Sequence, residues 1–202
     1  AANDRIVIGS GRTVDLDVDG IVQGALELFG TLDVGTRQAP QFGPISGNGT
    51  IRCAGNGSSS NFPIANTSAF ADPNTGGKVE FYGSGSSITQ VNDLDVNEID
   101  INFGSSGREL ILASNLTHNG FLEITRGTLR INNGANAKRT LTSFGNVFIG
   151  SQGRIRVHAY NREHEWRVEG NIDNDGSVRL TQRTSPNYSS SPPNNHWSPW
   201  SY

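Results

Sequence analysis

Short runs in which apolar and polar residues alternate recur between residues 5 and 180. Examples are residues 5–8, 25–29 and 98–103, and each run is three to six residues long with Gly, Asn, Asp or Ser at its ends. Alternation with a period of two places the apolar side chains on one face of a strand, whereas an amphipathic helix repeats them every three or four positions. Because no window keeps the helical spacing over three turns, the pattern predicts an all-β protein.

A longer repeat groups these runs into units of the form turn residue, Gly, any residue, apolar, any residue, apolar. The glycines of its six copies are Gly24, Gly49, Gly77, Gly120, Gly153 and Gly176. Successive glycines are 25, 28, 43, 33 and 23 residues apart, and the gap of 43 predicts a further unit near Ile99. Periods of about 20–50 residues with glycine turns and short strands are typical of solenoids.

The repeat predicts a right-handed parallel β-helix. Each coil would hold two or three short strands, and each strand would pair with its equivalent in the next coil about 4.8 Å away. Inward side chains would stack into one core, while Gly and Asn at the corners supply positive φ angles. About seven or eight coils would give a rod about 35–40 Å long. A β-sandwich is the alternative, since short strands every 8–12 residues also fit it, but the recurring unit favours the solenoid.

The repeat and its interruptions divide the chain into three parts. Residues 1–183 are predicted to form the β-helix domain. Residues 54–76 are a polar interruption, predicted to project from it as a loop. Residues 184–202 are rich in Ser, Pro and Asn without alternation, which indicates a tail, a cap or a linker.

Composition and charge exclude several classes of function. The 202 residues include 25 Gly and no Met, and the net charge of −3 comes from mixed acidic and basic residues. Without a basic block we expect no nucleic-acid partner, and without an apolar stretch of about 18–20 residues we expect no membrane-spanning helix. A start at Ala1-Ala2 without Met fits a mature protein after signal cleavage, or a trimmed fragment.

Three stretches of the chain resemble a known class of protein. Residues 4–16, 24–35 and 113–131, the last with Asn119-Gly120 and Gly127-Thr128-Leu129, resemble the repetitive segments of large bacterial surface and secreted proteins. Such segments occur in adhesin-like β-helical proteins of the Bacteroidetes and in autotransporter passengers. The N-terminal stretch is also similar to the G8 domain, a glycine-rich extracellular β module. The resemblance covers roughly residues 4–182 and implies export with a scaffold or adhesive role, but it carries over no functional residue.

Acidic residues cluster in two places. Asp15, Asp17 and Asp19 alternate with apolar residues, so they are about 6.6–6.8 Å apart along one strand, whereas Ca²⁺ needs its oxygens at about 2.3–2.6 Å. We therefore expect a solvated outer face and no metal site. A solvated outer face without a metal site is also expected for a second acidic run: Asp93, Asp95, Glu98 and Asp100. Stacking beside another acidic strand would change that expectation.

Local signatures of catalysis are missing. Cys53 shares the alternation phase of Ile51, which predicts an interior, inert thiol. Metal-ligand spacing is absent among the four histidines: His118, His158, His164 and His196. We therefore expect neither an enzyme nor a cofactor. Polysaccharide lyases and hydrolases also use β-helices, with acids or a basic residue clustered in an open groove, and they are the enzymatic alternative.

The tail holds the candidates for ligand contact. Trp197, Trp200 and Tyr202 lie where no alternation buries them. Exposed aromatic rings stack on sugars or dock on partners, or these residues would fold back to cover the open end of the solenoid. Trp166 lies in a strand pattern and is predicted to be core or corner.

The sequence thus predicts a non-catalytic, secreted or cell-surface module, part of an adhesin, stalk or filament. Its partners would be glycans, or other copies or domains of the same surface protein. The alternative is a carbohydrate-binding or polysaccharide-cleaving β-helix with its site on one lateral face. An acidic or aromatic groove across several coils would favour that alternative, and a featureless polar face would favour the stalk.

Overall fold

The structure, a computed structural model, describes residues 4–38, 40–55, 62–83, 85–90, 93–132, 137–157 and 164–180. Within these ranges the chain forms 19 β-strands and no helix. The all-β prediction is confirmed. In the same ranges there is accordingly no helix long and apolar enough to cross a bilayer.

The strands occupy three faces of successive coils. The first face holds β1 (Arg5–Ile8), β3 (Ala25–Leu28), β5 (Gln41–Ser46), β7 (Ile64–Asn66), β10 (Leu94–Val96), β13 (Leu116–His118), β15 (Thr140–Ser143) and β17 (Glu165–Val168). The second holds β2 (Thr13–Asp15), β4 (Thr31–Gly35), β6 (Thr50–Ala54), β8 (Lys78–Gly83), β11 (Glu98–Phe103), the first halves of β14 (Leu122–Ile131) and β16 (Val147–Val157), and β18 (Ile172–Asn174). The third holds β9 (Ile88–Gln90), β12 (Glu109–Leu112), the second halves of β14 and β16, and β19 (Ser177–Arg179).

Every strand pairing between described strands is parallel. A β-sandwich pairs antiparallel strands, so that alternative is wrong. The coils stack into a β-solenoid of about 7 turns. The predicted parallel β-helix is confirmed.

The core is a stack of inward side chains that continues from coil to coil. On the second face Cys53, Phe81, Ile101 and Ile124 are successive register partners, and all four are fully buried. Burial also raises the pKa of the Cys53 thiol far above its ordinary value. The prediction that Cys53 is interior is confirmed, and since the thiolate is the reactive form, the raised pKa favours an inert thiol.

A ladder of glycines forms the corner between the first and second faces, where the backbones of neighbouring coils come very close. A Cβ atom at position 145 would lie 1.5 Å from the carbonyl oxygen of Gly120 in the coil before it, so only glycine fits there. In one coil Asn97 replaces the glycine, and its Nδ2 donates to the carbonyl oxygen of Gly76 at 3.2 Å. The register places these glycines at that corner: Gly30, Gly49, Gly77, Gly120, Gly145 and Gly170.

This register explains the uneven spacing of the sequence repeat. Of its glycines, Gly24 precedes the first face, and Gly153 and Gly176 lie at the corner between the second and third faces. The six glycines of the sequence repeat therefore belong to three different corners of the coils. The unit predicted near Ile99 is confirmed as β11, which pairs with β8 and β14.

Of the segment predicted to project as a loop, residues 54–76, the structure describes residues 54–55, where Ala54 ends β6, and residues 62–76. Strand β7 pairs there with β5, and Phe62 and Phe70 belong to the buried core. These two apolar rings hold the polar segment against the solenoid as part of a coil. Residues 56–61 lie outside the described residues, as does the tail predicted at 184–202.

Candidate functional site

An outward-facing column of mostly acidic side chains runs along the second face. Its members are successive register partners in eight coils: Asp15, Asp33, Arg52, Glu80, Asp100, Glu123, Phe148 and Asp173. Neighbours in the column are one strand spacing apart, about 4.8 Å. We call these eight residues the acidic column.

The amino-terminal part of the acidic column is tied together by Arg52. Its guanidinium contacts Asp33 Oδ2 at 2.9 Å and Glu80 Oε2 at 2.8 Å, in the coils on either side. The Tyr82 hydroxyl donates to Asp33 Oδ1 at 2.7 Å, and its ring lies 4.1 Å below the Arg52 guanidinium carbon. The hydrogen bond to Glu80 raises the pKa of Arg52. Asp33, Arg52 and Glu80 are therefore paired in three consecutive coils, and these contacts link the coils to one another.

The middle of the column holds three acids in consecutive coils, Glu80, Asp100 and Glu123. Asp100 is half-buried, its Oδ1 has no hydrogen-bond partner among the described residues, and its only ion pair there is with Lys78 Nζ at 4.0 Å. Burial raises the pKa of Asp100, Lys78 opposes that shift, and the charges of Glu123 and Glu80 add to it. A carboxyl group whose pKa is raised can act as a general acid.

The column ends beside a half-open hollow of about 250 Å³. Phe121 and Phe148 offer ring surface there, and Phe121 is 39% exposed. The amide of Asn146 and the carboxylate of Asp173 lie beside the rings. We call this site the aromatic hollow; its full lining is Phe121, Asn146, Val147, Phe148, Asn171, Ile172 and Asp173. Apolar rings beside amide and carboxylate groups suit a sugar, which has both a hydrophobic face and hydroxyl groups.

His118 lies in the interior of the first face, between its register partners Val96 and Ser143. It is fully buried, its Nδ1 is 3.2 Å from the carbonyl oxygen of Gly120, and its Nε2 has no hydrogen-bond partner among the described residues. Burial lowers the pKa of His118 to about 4. The ring is therefore neutral at pH 7, with Nδ1–H donating to Gly120.

The buried His118 makes stability depend on pH. Its pKa is about 4 in the folded state and 6.5 in the unfolded state, so the unfolded chain binds the proton more readily between these values. The contribution is complete above pH 6.5 and is lost as the pH falls towards 4. At pH 5 the loss should be about 2 kcal/mol, measured by urea unfolding at pH 7 and pH 5. His118→Leu should remove this term, and an unchanged pH dependence in the variant would contradict it.

The other sequence predictions have mixed outcomes. Trp197, Trp200 and Tyr202 lie outside the described residues. Trp166 packs against the core and its Nε1 donates to Ser143 Oγ at 3.1 Å, as predicted. The first acidic run is exposed, as predicted: Asp15, Asp17 and Asp19.

The second acidic run is divided between faces. Asp93 and Asp95 adjoin or lie in β10 on the first face, whereas Asp100 lies in β11 on the second. Asp93 accepts hydrogen bonds from Ser114 Oγ and from the Asn115 backbone amide, and these bonds lower its pKa. In the described part of the chain, no group of three His, Cys, Asp or Glu residues is placed to hold a metal ion.

Sequence reasoning did not identify the acidic column, although a signal for it exists. Four of its acids, Asp33, Glu80, Asp100 and Glu123, each sit between two inward apolar residues of one strand. The alternation marks such residues as outward-facing. Which of them stack on one another depends on the register between coils.

Comparison with protein-family models, with curated proteins and with solved structures finds no match for this chain.

Proposed function

We propose that this chain is a non-catalytic structural or adhesive module of an extracellular protein, a stalk or filament segment at a cell surface. The continuous, register-matched stack of coils supports this proposal. About 7 turns at one strand spacing of about 4.8 Å make a rod of roughly 35 Å. Its partners would be other copies or domains of the same surface protein, or glycans.

The way in which the coils are joined suits a load-bearing spacer. Backbone ladders connect neighbouring coils, and the core passes from coil to coil without a break on the second face. Side-chain pairs such as Arg52 with Asp33 and Glu80 add links between coils. Surface ion pairs contribute little to stability by themselves, so the stiffness comes chiefly from the ladders and the core. The mechanism is geometric, because a rigid rod holds whatever it carries away from the surface.

The location and size of the native polypeptide test this proposal. Source cells are fractionated, and peptides of this chain are identified by mass spectrometry in each fraction of a sizing gel. We expect them in the surface or extracellular fraction, in a polypeptide much larger than the 21.7 kDa of these 202 residues. A free species near 21.7 kDa, secreted or cytosolic, would exclude the stalk.

A second candidate function is carbohydrate binding or cleavage on the second face. The observation that favours it is the acidic column with three consecutive acids, which leads across several coils into the aromatic hollow. Here Phe121 and Phe148 would stack on sugar rings. In a cleavage reaction Asp100 would protonate the leaving oxygen as the glycosidic bond breaks, and its column neighbour Glu123 would take the proton from the water that attacks the anomeric carbon.

Two matched pairs of variants test this second candidate against a panel of polysaccharides. Phe148→Ala should abolish binding, whereas Phe144→Ala, which removes a ring that is 47% exposed outside the hollow, should not. If cleavage occurs, Asp100→Asn should abolish the release of reducing ends and Asp17→Asn should leave it unchanged. Equal effects within either pair would exclude the site.

A further inference from the structure

Charge is segregated between two faces of the solenoid. The described strands of the second face carry seven acidic and three basic residues. Those of the third face carry four arginines and one acid: Arg130, Arg154, Arg156, Arg179 and Glu109. The net charge of −3 for the whole chain therefore conceals a positive lateral face.

Three of these arginines stack in consecutive coils. Arg130 is the register partner of Arg156, and Arg156 is the partner of Arg179. We call these three residues the arginine ladder. They lie one strand spacing apart, so the ladder spans about 10 Å along the axis. Like charges at this spacing repel one another, and a stack of them is favourable only with counter-charges.

Among the described residues, a single counter-charge pairs with the ladder. Glu109 pairs through Oε2 with Arg130 Nη1 at 2.9 Å and through Oε1 with Arg156 Nη2. Arg179 and the neighbouring Arg154 are exposed and have no ion-pair partner among the described residues. The Nε atoms of Arg130 and Arg156 are buried without a hydrogen-bond acceptor there. Among the described residues the ladder therefore carries more positive charge than Glu109 balances, and the guanidinium of Arg179 is both exposed and without an ion pair.

We propose that the arginine ladder binds a linear acidic polysaccharide, which lies along the axis of the solenoid with its carboxylate or sulfate groups on successive arginines. The planar guanidinium matches both anions, since it donates two parallel hydrogen bonds to either. A polymer with regularly spaced charges fits a row of regularly spaced donors. This inference rests on the proposed adhesive role and names the class of its ligand.

The third face suits a polysaccharide better than a nucleic acid. Proteins that bind single strands stack the bases on aromatic side chains, and none of the described strands of this face carries an aromatic residue. A duplex presents a broad phosphate surface, which would also meet the acidic second face next to the ladder. A narrow chain of charged sugars avoids both problems.

The first test compares two exposed arginines. Binding of dextran sulfate, polygalacturonate, neutral dextran and a single-stranded thymidine oligonucleotide is measured by isothermal titration calorimetry. We expect the ladder to bind at least one acidic polymer, with an affinity that falls as salt is added, and not to bind dextran. Arg179→Gln should weaken that binding about tenfold. Arg12→Gln removes the same charge from a turn at the other end of the chain and should leave it unchanged.

The second test uses a substitution that should tighten binding, whereas Arg179→Gln should weaken it. Glu109 competes with the polymer for Arg130 and Arg156, so Glu109→Gln should tighten binding, by about tenfold if one arginine is released. A gain of affinity in a variant that retains its strands separates a binding role from a structural one. Circular dichroism of every variant confirms that the strands are retained.

The outcomes distinguish failure of the proposed ligand from failure of the proposed function. Tighter binding of dextran sulfate or of polygalacturonate supports the proposal and identifies the anion as sulfate or carboxylate. Equal weakening by Arg179→Gln and Arg12→Gln, no acidic polymer bound, or an oligonucleotide bound more tightly than either polysaccharide would overturn it. Failure to bind by a protein that is found at the cell surface rejects the ligand alone. Binding by a protein found only in the cytosol rejects the proposed function alone.

Discussion

Replacing Phe81 with alanine should lower the free energy of unfolding by about 4 kcal/mol. Phe81 is 0% exposed and has Cys53 and Ile101 as register partners in the coils on either side. The parallel ladders fix the distance between these coils, so the neighbours cannot collapse into the space that the ring leaves. The cost is therefore that of the lost apolar contacts together with that of the cavity.

Urea unfolding followed by circular dichroism measures this effect. Phe29→Ala is the matched control, because Phe29 is 46% exposed at a corner of the solenoid. We expect the control to lose less than about 1 kcal/mol. Similar losses for the two variants would mean that the stacked core is not what holds the coils together.

Replacing Gly145 with alanine should cost at least about 3 kcal/mol, although it adds only one methyl group. The new Cβ would lie 1.5 Å from the oxygen and 2.4 Å from the carbon of the Gly120 carbonyl. Both atoms belong to backbone, so no side-chain rotation relieves the contact and the two coils must separate at this corner. That movement would weaken the ladder between β14 and β16 on one side and between β13 and β15 on the other.

Gly9→Ala is the control for this substitution. A Cβ at position 9 would meet nothing within 4 Å, and the residue has no positive φ. Its free energy of unfolding should change by less than about 0.5 kcal/mol. If Gly145→Ala is tolerated equally well, the glycine ladder reflects turn preference and not the close approach of coils.

Local periodicity was enough to predict much of the fold. The burial of Ile51, Cys53, Val79 and Phe81 follows from alternation within their own strands, since a strand turns successive side chains to opposite faces. Recurrence of the unit indicated stacked coils, and it located β11 where no glycine marks the corner. These features depend on residues close together in the chain, so they can be read without knowing the register.

Other features depend on which residues of neighbouring coils stack, and the coils vary in length. At the corner between the first and second faces, successive positions, with Asn97 counted among the glycines, are 19 to 28 residues apart. A fixed period therefore cannot assign Gly24 and Gly153 to their own corners. Phe62 and Phe70 lie in a polar segment of the sequence, and only the structure shows that they pack against the core.

The candidate sites also depend on the register between strands of neighbouring coils. The sequence by itself determined that Glu80, Asp100, Arg130 and Arg156 point outward, because each lies between two inward apolar residues. Only the tertiary structure decided that the two acids are neighbours in the acidic column and the two arginines are neighbours in the arginine ladder. Alternation is a property of a single strand, whereas stacking joins side chains of different coils, which are 20 residues apart for Glu80 and Asp100 and 26 for Arg130 and Arg156. Backbone hydrogen bonds and core packing between coils decide which side chains meet.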